Sequence, residues 1–196
     1  MKFSYAAFVM VALFLAVSSC GLKIETGQTV DEATESNQQR AGRIRSNWAE
    51  QLRNKPPMTM AELVKTHIDS VSAMYLRYGY KIVGEWQQGN EGRGQAVDAS
   101  EMRQVVNSWV VAEKPILKAY EDNLEYGLRL VRDSRHYDQS TMDLFDQLAR
   151  AYYDCHSVVF YPNQNVEFYE EELIDIERRI RQLSGELDRK LRVYSN

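Results

Sequence analysis

The 196-residue chain is 44% hydrophobic and 27% charged, with 24 basic and 28 acidic side chains, four prolines and two cysteines. Residues 1–19 hold one charge, Lys2; the remaining 177 residues carry a net charge of −5 and suffice for one domain with a core. The aliphatic, periodic composition excludes a disordered chain, and the scarcity of cysteine excludes a disulfide mini-protein. The lack of long apolar runs excludes a polytopic membrane protein, and a negative balance without a clustered basic face argues against a nucleic-acid partner.

Residues 1–19 read as a secretory signal peptide: Lys2, a 13-residue apolar run from Tyr5 to Val17, then Ser18 and Ser19. A helix needs about 20 apolar residues to cross a hydrocarbon core, so this run is too short to span one. Val17-Ser18-Ser19-Cys20, followed by Gly21, resembles the lipobox of bacterial lipoproteins, with valine in place of the usual leucine. The resemblance covers residues 1–21 and no further. It implies cleavage before Cys20, a diacylglycerol thioether on its sulfur and an acylated amino group. The membrane is then a partner through a lipid anchor that binds essentially permanently. In enteric-type sorting, Gly21 rather than aspartate implies the outer membrane over the inner one. With an ordinary signal peptide, Cys20 and Cys155 could instead form a disulfide; with the lipid in place, Cys155 is the only free thiol.

Residues 20–37 are polar, with apolar side chains at Leu22, Ile24 and Val30, and are expected to form a flexible tether. The domain proper is expected over residues 38–196. Ala41, Ile44, Trp48 and Leu52 line one face of a first helix, which Lys55-Pro56-Pro57 stops. Thr59 and Glu62 form a capping-box pattern for a second helix running through Val64, Ile68, Val71, Tyr75, Tyr78 and Ile82 to Trp86, about 40 Å in length. Gly79 and Gly84 weaken its end, and Gly89, Gly92 and Gly94 predict a loop. Asp98 or Ser100 opens a third helix, with a kink or short break expected near Pro115. Ser140 or Thr141 is the expected cap of a fourth, closed by Pro162. In the fifth, Tyr169, Leu173, Ile176, Ile180, Leu183, Leu187, Leu191 and Tyr194 form a heptad seam with one stutter. Acidic residues lead this helix and basic ones end it, and Asp175–Arg179, Glu177–Arg181, Glu186–Lys190 and Asp188–Arg192 are spaced for ion pairs. The fold expected is all-α: an antiparallel bundle of four to five helices.

No catalytic constellation emerges. The chain has no G-x-S-x-G, S-x-x-K, H-E-x-x-H or E-x-x-H pattern; Asp133-Ser-Arg-His136 comes nearest and reads as a helix end. The Gly89–Gly94 segment follows a helix, contains Glu91 and lacks the order of a phosphate loop. Cys155 and His156 are neighbours that point about 100° apart, so they do not form a thiol–base pair; Cys155 and His67 read as core side chains. No catalytic residue, metal ligand or cofactor is therefore expected.

Eleven of the 12 tyrosines lie beyond residue 19. Tyr75, Tyr78, Tyr80, Tyr152, Tyr153 and Tyr161 form either core edge or an aromatic rim for a protein partner. Arg40, Arg43 and Arg45 give a basic stripe that is either a solvated face or a rest on anionic headgroups. The seam of residues 169–194 could also pair two copies of the chain. Two functional expectations follow. One is a lipid-anchored, non-enzymatic interaction or scaffold module of the envelope, such as an accessory subunit of an envelope machine or an exclusion or immunity lipoprotein, with an envelope protein as partner. The alternative is a small-molecule-binding bundle with a cavity lined by Tyr75, Tyr78, Tyr152 and His67 or His156.

Overall fold

The computed structural model describes residues 36–93, 99–162 and 165–194. Cys20, the signal-like segment and most of the expected tether lie outside these residues, as do Gly94 and Asp98. The described residues form five helices and no strand: α1 (Asn37–Leu52), α2 (Pro57–Arg93), α3 (Ala99–Asp133), α4 (Gln139–Phe160) and α5 (Val166–Val193).

Local chemistry accounts for the boundaries. Ser36 caps α1 in a reciprocal box with Gln39: Ser36 Oγ accepts the Gln39 N–H, and the Gln39 side chain accepts the Ser36 N–H at 2.9 Å. The chain leaves α1 through extended Arg53 and left-handed Asn54 (φ 58°), a conformation asparagine tolerates better than most residues. Helix α2 starts at Pro57, two residues before the expected Thr59, because proline suits the first helical position and the Pro56 carbonyl takes the Met60 N–H at 3.0 Å. Asp138, not Ser140 or Thr141, caps α4 by accepting the Thr141 N–H at 2.7 Å. Asn165 caps α5 in the same way through Phe168 N–H.

Two expected interruptions are absent. Helix α2 runs through Gly89 and Gly92 to Arg93, so its 37 residues span about 55 Å rather than 40 Å. Helix α3 continues through Pro115 without a break. Proline leaves the Val111 carbonyl without its helical donor, and Asn37 Nδ2 donates to the adjacent Ala112 carbonyl at 2.8 Å. Buried Ile116, Leu117 and Ala119 hold the following turn in place.

Helices α2 to α5 alternate in direction. Helix α2 is central and packs against α3, α4 and α5, while α1 lies along α3. The α5 seam is consumed by the chain's own core: Tyr169, Leu173, Ile176, Ile180, Leu183, Leu187 and Leu191 are all buried. A fully buried leucine contributes roughly 1.5–3 kcal/mol, so this seam is a main source of stability. Two glycines set close helix approaches. A Cβ on Gly79 would lie 2.6 Å from a Leu173 methyl of α5, and one on Gly127 would lie 2.6 Å from Val64 Cγ2 of α2.

Candidate functional site

The six tyrosines singled out by sequence do not share one surface. Tyr75 and Tyr152 are fully buried, so neither can form a partner rim. Their hydroxyls meet at 3.3 Å, and Tyr75 packs edge-on against His156 and Phe160. Tyr78 is half-buried on Trp109, which in turn lies on Phe160. Tyr153 is half-buried beside Tyr152. Only Tyr80 and Tyr161 are exposed, and the Tyr80 hydroxyl is already engaged by Glu177. The structure therefore gathers Tyr75, Tyr152 and His156 in one aromatic layer, with Tyr78 joined through Trp109.

His67 lies in a different layer. Its ring packs 4.7 Å from Trp48 of α1 and 6.1 Å from Tyr120 of α3, centroid to centroid, and Nε2 lies 3.1 Å from the Tyr120 carbonyl. Trp48 donates its indole N–H to the Asn123 carbonyl at 2.8 Å. The expected cavity lining of Tyr75, Tyr78, Tyr152 and His67 is thus split between two clusters; His156 alone of the histidines joins the tyrosine pair.

Burial sets the electrostatics of these groups. Burial raises the Tyr75 and Tyr152 phenols well above their ordinary range, with the mutual hydrogen bond lowering Tyr75 and raising Tyr152. Burial lowers both His67 and His156, which keeps the imidazoles neutral. The Cys155 thiol is fully buried and pushed up to about 12 by desolvation, so it is a protonated, inert core group. It lies 3.9 Å from the Ser72 carbonyl, while the Ser72 hydroxyl is buried without a partner. Among the described residues no three His, Cys, Asp or Glu side chains come together as a metal set, and no helix is long and apolar enough to cross a membrane.

Comparison with protein-family models, curated proteins and solved structures gives no match.

The basic stripe is also divided. Arg45 bonds Asp122 of α3 at 2.8 Å and serves helix docking. Arg40 is exposed and bonds Asn37 of its own helix. Arg43 is half-buried. The largest outward apolar side chains include four that sequence reasoning passes over: Val111 (73% exposed), Val193, Phe168 and Ile174. Their signal is present in the chain. Val111, Phe168 and Ile174 each neighbour a better-placed apolar residue, Val110, Tyr169 or Leu173, and only one of two adjacent residues can face the same way on a helix.

Proposed function

We propose that this protein is a lipid-anchored, non-enzymatic helical interaction module of the bacterial cell envelope, held at the outer membrane by Cys20. The observation that carries this reading is the sequence Val17-Ser18-Ser19-Cys20-Gly21 behind a basic start and a 13-residue apolar run. Exposed Val111, Tyr161, Phe168 and Ile174 supply apolar contact points for an envelope protein, in the manner of an accessory subunit or an exclusion or immunity lipoprotein. Because the 169–191 seam is filled by the bundle itself, a partner would engage these outward side chains rather than the seam. Cells grown with a clickable palmitate analogue test the anchor. The native chain should take up label and sediment with outer membranes, and Cys20→Ala should lose both properties. Equal label and sedimentation in the two proteins would overturn the reading.

A further inference from the structure

Helix α1 has the fewest buried side chains of the five helices. It buries three side chains, Ala41, Trp48 and Leu52, whereas α5 buries eight. Its main neighbour is α3, reached through Asn37 to the Ala112 carbonyl, Arg45 to Asp122, Trp48 to the Asn123 carbonyl, the Asn123 amide to the Ile44 carbonyl, and Leu52 near Gly127. It joins the bundle through Arg53 to Pro56, where Asn54 is left-handed and no helix continues. Elements that bury few side chains and join the fold through a short non-helical connection open locally at less cost than the whole fold.

His67 occupies the floor of the α1 seat. The Trp48 ring covers it from α1 and the Tyr120 ring flanks it from α3. With Nε2–H donating to the Tyr120 carbonyl, the second ring nitrogen has no hydrogen-bond partner among the described residues. The ring is half-buried, and protonation would add an N–H there that no acceptor among the described residues meets. The ionisable groups of this interface offer no compensation. On α1, Arg45 is paired with Asp122, and Arg40 acts on the Tyr78 and Tyr120 phenols. On α3, Glu113 acts on the same phenols, which burial keeps neutral. Burial and the Tyr120 carbonyl are the causes acting on the imidazole, burial being the larger, and its affinity for a proton is lowered.

We propose that α1 is an acid-released latch, seated on α2 and α3 while His67 is neutral and detached about the Arg53–Pro56 hinge when His67 takes up a proton. Release would uncover Val64, Gly127 and the rest of the seat as a new apolar surface on the bundle. This inference stands independently of the lipid anchor.

The sign follows from the histidine. Its proton affinity is lowered in the seated state, and lifting Trp48 off the ring returns it towards solvent, so docking is fully supported above the ordinary histidine range and weakens as pH falls below it. If the seated ring stays neutral and the released ring titrates at its ordinary value of about 6.5, the docking constant at pH 5.0 falls by about 30-fold relative to pH 7.5. The Arg45–Asp122 pair is silent there, because its partners hold Asp122 below the usual carboxylate range despite an opposing desolvation effect.

Hydrogen exchange of the purified full chain at pH 7.5 and pH 5.0, corrected for intrinsic rates, tests the latch. Protection of α1 should fall towards that 30-fold limit while α5 keeps its own. His67→Gln, which retains a donor for the Tyr120 carbonyl, should abolish the fall, and Asp122→Asn should retain it. Unchanged α1 protection in the native chain, an equal loss in α5, or a His67→Gln protein as acid-sensitive as native would overturn the proposal. Should His67→Gln fail to fold, His67→Asn takes its place; should both fail, the native comparison of α1 with α5 decides alone.

Discussion

Gly127→Ala is a demanding test of how the helices approach. The new Cβ would lie 2.6 Å from Val64 Cγ2, 3.3 Å from Trp48 Cζ2 and 3.7 Å from Leu52 Cδ1. Alanine gains about 1 kcal/mol of helix propensity over glycine, which favours the variant. Against this stands overpacking, which costs roughly 1–3 kcal/mol. Val64 decides the balance: it is fully buried and β-branched, with one favoured rotamer in a helix, so its methyl has no easy retreat. With overpacking therefore in the upper half of that range, the expected net effect is a loss of about 1–2 kcal/mol, or roughly 2–8 °C in Tm for a domain of this size. Gly185→Ala is the control, since nothing lies within 4 Å of its Cβ; it should gain about 0.5–1 kcal/mol. Urea unfolding followed by circular dichroism at 222 nm measures both. The clash can also be relieved: in a Val64→Ala background, adding Gly127→Ala should be neutral or stabilising. If Gly127→Ala is as stable as native, or as damaging in the Val64→Ala background as in the native one, the close approach of α2 and α3 is misassigned.

Tyr75→Phe should cost about 1–3 kcal/mol by leaving the Tyr152 hydroxyl buried and unpaired, and Tyr75→Phe/Tyr152→Phe should cost less than the two single losses together. Unfolding midpoints of the three proteins decide this. Asp138→Ala should shorten or fray α4 at neutral pH. Hydrogen bonds from Thr141 and Ser140 hold the Asp138 carboxyl at about 2, below its ordinary value, so its contribution is present above about pH 4 and is lost as pH falls through 2. The stability gap between native and variant should close over that interval in acid unfolding curves. The Cys155 thiol should resist a disulfide reagent at pH 8 in the native protein and react at once in 6 M guanidinium; rapid native labelling would contradict its burial.

Periodicity makes the helices and their inward faces legible. The spacing from Tyr169 to Tyr194 identifies eight positions; seven are buried, and the last, Tyr194, is half-buried with its hydroxyl accepting the Asp138 N–H. Boundaries are harder, because Asp138, Ser140 and Thr141 are all competent caps and only the fold selects the first. Glycine and proline carry less weight than their local chemistry suggests: α2 runs through Gly89 and Gly92, and buried Ile116 and Leu117 hold the turn after Pro115 in place. Charge pairing reads in sequence as a property of one helix, although partners across helices compete. Glu177–Arg181 forms as spaced, but Arg179 reaches Asp154 of α4 and Asp188 reaches Lys65 of α2. Tyrosine is the least legible residue. Its apolar ring and polar tip suit core and surface alike, so Tyr75 and Tyr161 read the same in sequence yet occupy opposite environments.

The central functional claim turns on one atom, the sulfur of Cys20. Mass spectrometry of the N-terminal peptide from protein extracted from membranes reads it directly. A peptide beginning at Cys20, carrying a diacylglycerol thioether and an acylated amino group, is the result expected. An unmodified Cys20, or a Cys20–Cys155 disulfide, would contradict it.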